Sequence, residues 1–354
     1  MVPERIIAAA LVLVAAALGA AQFRPSSSLA APAAEVLPLS TTSLPLNRDD
    51  PAITAIGPLR FLGAVQIRSS NPRFGGISGL RASADGRFLA VTDTGNWLSF
   101  TTVERDGRLT GLAAARLGPI PDGDGKAAAS KDAVDAEALE WDAASGEAMV
   151  IYEQDHRIAH FTGIDPARPE SLAQPPQRTE RLTSMTGWAS NGGGEAVAVF
   201  SLPGGGRARL ILRETAGAPA GSPEGTREAL LTRAPFTVES ASSAIAIEGV
   251  DEHSPTDAVM LDGRRLLILH RRFNLKGVGA ALSLVDLAPL SSPTPPARLP
   301  ATLLARWQAP FTLDNMEALA IRHEGGRAFL YIASDENLSS LQRTLLMKFE
   351  LVLP

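Results

Sequence analysis

The chain has 354 residues, is 45% apolar and carries a formal charge of −5. That is material for a large core, while mild acidity and only four lysines exclude the basic footprint of a nucleic-acid binder. With no cysteine, disulfide frameworks, thiolate metal sites and a lipid-anchored cysteine are excluded as well.

The sequence opens with "MVPERIIAAALVLVAAALGAA", one Arg followed by an apolar run from Ile6 to Ala21. This has the form of a secretory signal over residues 1–30, with small residues at Gly19 and Ala21, or Ser28 and Ala30, as cleavage sites. A membrane span needs about 20 apolar residues, so the run is short for a permanent anchor and no stable span is expected after signal removal. Residues 31–57 are rich in Pro, Ser and Ala, lack periodicity and are expected to form a linker.

From residue 58 onward the sequence repeats itself. Five segments pair small or acidic residues with a short apolar run: "GGISGLRAS" (75–83), "DAEALEWD" (135–142), "NGGGEAVAVF" (191–200), "PTDAVML" (255–261) and "DNMEALAI" (314–321). Gly79, Ala138, Ala196, Ala258 and Ala318 align at intervals of about sixty residues. A Gly turn and a second apolar run follow, as in "ADGRFLAVTD", "ASGEAMVIYE" and "EGGRAFLYIASD", which is the signature of a β-hairpin. Further strand-like pieces between hairpins bring each unit to about four strands. The pattern predicts an all-β protein, a β-propeller of five to six four-stranded blades over residues 58–354. The strand-like "PLRFLGAVQI" (58–67) precedes the first unit and is placed to complete the last blade. The competing architecture is a β-sandwich followed by a second domain.

In a hairpin, the start of the first strand and the end of the second share an edge. The acids and amides that bracket these hairpins should therefore collect on one rim. Converging carboxylates repel unless a cation or proton compensates them, and oxygen-rich sets suit Ca²⁺ or another hard divalent ion. The candidate metal ligands are Glu137, Asn191, Glu195, Asp257, Asn315 and Glu317, of which Glu137 and Glu317 are also candidate catalytic groups. Arg157 and Arg272 follow second strands and are candidates for holding an anionic substrate, a guanidinium matching phosphate or carboxylate in a forked way. Each of these residues has a plainer reading, a turn residue for Asp or Asn and a structural ion pair for Arg. The five histidines show no zinc spacing. Ser78 in "GGISGL" does not make a G-x-S-x-G elbow, and no P-loop is present.

At these residues the sequence resembles the phytase-like family of bacteria, described as esterase-like activity of phytase. The likeness runs over "GGISGL…VTDTG", "DAEALEW…IYEQDHRI", "NGGGEAVAV", "LILHRRFN" and, most specifically, "DNMEALAI…SDENLSSLQRTLLMKFEL". Here the usual E-G-L is replaced by E-A-L, and His270 stands where an acid is more typical. The resemblance implies a β-propeller, export to the periplasm or medium, and hydrolysis of phosphate or carboxylic esters. The expected partner is a small anionic ester or phosphate, and a monomer is expected. The alternative is a non-catalytic periplasmic propeller that binds a ligand or protein, with any ion purely structural.

Overall fold

The computed structural model describes residues 33–353 apart from 127–133, 191, 203–204, 215–221, 223, 238–239, 293, 295 and 337–341. The signal-like segment lies outside the described residues. Among those described, regular structure is strand apart from three short 3₁₀ turns, and no helix is long and apolar enough to cross a membrane.

Five antiparallel sheets form a ring, a five-bladed β-propeller. Blade 1 runs outward from the axis through Ile77–Ala82, Arg87–Thr92, Asn96–Arg105 and Arg108–Pro119. Blade 2 holds Ala136–Asp142, Glu147–Tyr152, Arg157–Phe161 and Arg178–Arg181. Blade 3 holds Gly194–Ser201, Arg207–Arg213, Thr226–Arg233 and Ser242–Glu248. Blade 4 holds Ser254–Met260, Arg265–Asn274, Gly277–Asp286 and Ala301–Gln308. Blade 5 combines Asn315–Glu324, Arg327–Asp335 and Thr344–Leu351 with the early strand Leu59–Ser69, which pairs antiparallel with Thr344–Leu351. The early strand thus closes the last blade and ties the two ends of the ring together without an open sheet edge between them.

Residues 31–57, expected as a linker, are instead bound to the ring in part. Leu39–Leu44 pairs with Leu59–Ser69, and Glu35–Val36 pairs with the outer strand of blade 1. Edge pairing is made by backbone groups, so "LSTTSL" needs no apolar alternation to join it.

Both faces of the inner strands are covered by neighbouring blades, which is why "LLIL" at 266–269 is buried at every position. Aromatic rings fill the gaps between blades. Phe88 of blade 1 meets Tyr331 of blade 5 edge-on at 4.6 Å, and Trp97 meets Phe161 of blade 2 at 5.3 Å.

The innermost strand of every blade carries a β-bulge at the same place. The unpaired residues are Ser78, Glu137, Glu195, Thr256 and Glu317. A bulge inserts one residue and re-aims its side chain. It also corrects the sequence alignment in blade 4, where Asp257 rather than Ala258 takes the place of Gly79, Ala138, Ala196 and Ala318.

That place is on the axis, and there the five blades meet on one side chain. Arg81 of blade 1 is 4% exposed. Its Nη1 donates to both oxygens of Asp257, at 3.1 and 3.0 Å, and to the Leu319 carbonyl of blade 5. Its Nη2 donates to the Val197 carbonyl of blade 3 and the Ala258 carbonyl of blade 4, while Nε faces Glu140 of blade 2 at 3.2 Å. Asp257, fully buried, also accepts the N–H groups of Ala258 and Leu319. Burial pushes its carboxyl up to about 6 against the pull of Arg81, so the pair is ionic at neutral pH. Asp257 is therefore a structural partner of Arg81 and not the rim ligand expected of it.

Removing one partner of such a pair leaves a charge buried alone, at a cost of about 3–5 kcal/mol. Arg81→Met should lower the unfolding free energy in urea by that amount, and adding Asp257→Asn should restore part of it. Equal urea midpoints for Arg81→Met and wild type would remove Arg81 from this role.

Candidate functional site

Two rings of side chains surround one mouth of the axis. The first is the set of bulge residues, Ser78, Glu137, Glu195, Thr256 and Glu317. The second comprises the residues that leave the second strands next to them: Asp93, Glu153, Glu214, Arg271 and Asp335. Blades 2, 3 and 5 are acidic in both rings. In this register it is Arg271, not His270, that stands where the other four blades carry an acid. His270 is buried with Nε2 2.7 Å from Ser283 Oγ, and burial, His253 and Arg227 lower it to about 3, so it stays neutral.

Glycine permits one of these approaches. Gly76 has φ +65°, and a Cβ there would run into the Asp93 carboxylate. Ser78 is held back from chemistry, since its hydroxyl donates to the Ala136 carbonyl.

The mouth has a compensated side and an uncompensated side. On the compensated side Arg271 lies 2.7 Å from Glu317, 2.8 Å from Glu214 and 2.9 Å from Asn315 Oδ1. Asn315 also donates from Nδ2 to Glu317 at 2.8 Å. Against the lowering effect of burial, Glu317, Glu214 and Glu195 hold the Arg271 guanidinium above its ordinary pKa. On the other side, ligand oxygens of Asp135, Glu137 and Glu153 lie within 4.8 Å of one another, and those of Glu153 and Glu195 lie equally close to the Arg271-paired Glu214, which borders both sides. Glu153 accepts N–H groups from Gly192 and Gly193. Glu195 is 6% exposed.

Burial and mutual repulsion raise these acids together. Burial, then Glu195, Asp135 and Glu153, push Glu137 well above the carboxylate range. Burial, then Glu214, Glu153 and Glu317, do the same to Glu195. Burial and Asp135 take Glu153 to about 7, and burial takes Glu317 to about 7 despite Arg271.

The expected site residues divide accordingly. Glu137, Glu195 and Glu317 share the mouth. Asn315 shares it too, but both ends of its amide are used by Arg271 and Glu317. Asn191 lies outside the described residues. Arg157 stacks over Tyr152 at 4.0 Å and binds Asp155 at 3.2 Å, away from the acids. Arg272 points to the opposite strand face from Arg271 and binds Gln308. The guanidinium that stands among the mouth acids is that of Arg271. Asp135, Glu153 and Glu214 were not among the expected ligands; Glu153 and Glu214 follow equivalent apolar runs, "VIYE" and "LILRE", and that shared place was the available signal.

A five-bladed propeller with a mouth of buried, mutually repelling carboxylates is the class of protein defined so far. The chain belongs to the phytase-like family described as esterase-like activity of phytase, whose model matches residues 72–338, and so to the hydrolase-type propellers. No curated protein matches it. Among solved structures it is similar to the catalytic domain of a GH62 α-L-arabinofuranosidase from Coprinopsis cinerea, with 12% identity, coverage of 89% of this chain and 97% of that one, and a TM-score of 0.45. It is also similar to the allergen Mala s 1 of Malassezia sympodialis, with 11% identity, 82% and 88% coverage and a TM-score of 0.41. A gluconolactonase from Xanthomonas campestris matches at 8% identity, 93% and 99% coverage and a TM-score of 0.36. Likenesses this distant say nothing about activity.

Acids whose folded pKa exceeds the unfolded one favour the fold at low pH. For Glu153 and Glu317 the favourable contribution is complete below about 4.5 and lost as pH rises through about 7. The cation-free protein should therefore melt several degrees lower at pH 8 than at pH 5. Glu195→Gln should raise the melting temperature at pH 8 and change it little at pH 5. A Glu195→Gln protein that melts lower than wild type at pH 8 would contradict the repulsion described here.

Proposed function

We propose that this protein is an exported, cation-assisted hydrolase of phosphate or carboxylic esters that works at the propeller mouth. The observation that carries the reading is the buried acid cluster of blades 2 and 3, gathered at ligand spacing with Arg271 bound to it only at Glu214. Family membership supports ester hydrolysis, and the leader-like N-terminus supports export. The donors are all carboxylate oxygens, which favours Ca²⁺. Held there, such an ion supplies Lewis-acid polarisation of the ester oxygen and lowers the pKa of a bound water.

The protein's own groups supply the rest. Glu137 and Glu195 hold the ion. Glu317, at about 7, exchanges a proton near neutral pH, as a general base must. Arg271 is fixed by Glu317, Glu214 and Asn315, and its charge opposes the negative charge that builds on the ester oxygens. The substrate is a small anionic ester, and the protein acts as a monomer.

Turnover of 4-nitrophenyl phosphate and of the mono-4-nitrophenyl ester of succinate, an anionic carboxylic ester, with and without chelator, tests this. Glu137→Gln and Glu317→Gln should each lower kcat/KM by about 100-fold, the scale of losing one transition-state group. Arg272→Ala should stay within about twofold, as expected of a group outside the mouth. Chelator-resistant turnover, or none with either ester at any Ca²⁺ concentration, would remove the proposal.

A further inference from the structure

We infer that the mouth prefers an anion that carries an apolar group, and that Phe273 selects it by packing against that group. The inference rests on the reading above, in which Arg271 faces an anionic ester, and it narrows the substrate to aryl and alkyl esters.

Among the described strands, only the blade 4 hairpin rises above the mouth. In the other four blades the second strand ends within one residue of Asp93, Glu153, Glu214 or Asp335. In blade 4 it runs on to Asn274, three residues beyond Arg271, and stays paired without a register shift as far as Asn274 and Gly277. At about 3.3 Å per residue, the tip stands about 10 Å above Arg271.

Unbroken pairing fixes which way each side chain points. Leu267 and Leu269 pack into the core between blades 4 and 5, so Arg271 and Phe273 lie on that same face. Arg271 accordingly binds Glu317 and Asn315 of blade 5. Phe273 is therefore the next side chain above Arg271 on the face that borders the mouth. It is 62% exposed, the one exposed aromatic ring among the described residues, and Leu275 at the tip is exposed too. Other groups fasten the hairpin: Arg272 on the opposite face binds Gln308, and Lys276 binds Glu252. A fastened phenyl ring left bare beside a binding site offers apolar contact at little ordering cost.

Calorimetric titration of phenylphosphonate and methylphosphonate into the full-length protein with Ca²⁺ decides it, since neither ligand has to be turned over. Wild type should bind phenylphosphonate about tenfold more tightly, the scale of one aromatic contact. Phe273→Ala should bring the two ligands within about twofold of each other; the side chain is exposed, so the change tests contact and not folding. Arg271→Gln should weaken both alike, by about tenfold or more, through loss of a charged donor. Equal affinities in wild type, a preference that survives Phe273→Ala, or no binding of either ligand would overturn the inference. Binding unchanged in Arg271→Gln would place the ligand away from the mouth and overturn it as well. Ester turnover without a phenyl preference would leave the hydrolase proposal standing alone. A preference that depends on Phe273, with no ester turned over, would remove that proposal and keep this one.

Discussion

The ion pair of Arg81 and Asp257 is the constraint on which the rest of the ring depends. A ring of five similar blades has an axis that no symmetric set of side chains fills well, because five equal groups there would clash or leave a void. A long, forked side chain from one blade resolves this by reaching groups on the other four. The carboxylate that balances it comes from blade 4, at the position where the other four blades have Gly or Ala. The pair thus breaks the pseudo-symmetry and fixes which blade faces which.

The same pair shapes the mouth. Arg81 follows its own bulge by three residues, about 10 Å along a strand, so the plugged axis forms a floor beneath the bulge ring. A closed floor removes solvent from one side of the acids. Their repulsion is then poorly screened, and Glu137, Glu153, Glu195 and Glu317 all rise above the ordinary carboxylate range. Such an arrangement opposes stability and is the kind that persists at functional sites. Arg271 relieves one side only, and that asymmetry separates a proton-exchanging Glu317 from the acids that the proposal gives to the cation.

Much of the fold is legible in the sequence. The sixty-residue recurrence, the Gly-turn hairpins and the early strand that closes blade 5 all depend on local pattern, and local pattern survives folding when each unit packs against a copy of itself. The site is legible only in outline. Glu137, Glu195 and Glu317 fall on one mouth, as their shared place in the repeat implies. The same pattern favours Arg272 over Arg271 and aligns Ala258 in place of Asp257, each an error of one residue. In a strand that error moves a side chain to the other face, and the bulge that shifts the register leaves no mark in composition. The segment before residue 58 passes for a linker for a related reason, since edge pairing is made by backbone and not by apolar side chains.

By itself, then, the sequence determined the class of fold, the recurrence of the hairpins and the rim on which the acids collect, while the count of five blades came from the structure. These follow from residue type and spacing along the polypeptide. Tertiary structure alone decided that Arg81 reaches every blade, that Glu153 stands between two acid sets, and that Arg271 neutralises one side of the mouth. Each of those facts joins residues from different blades, tens to hundreds of positions apart. The physical reason is that charge acts through distance in space, and a repeat specifies position within a blade but not the few ångströms that separate one blade's side chains from the next.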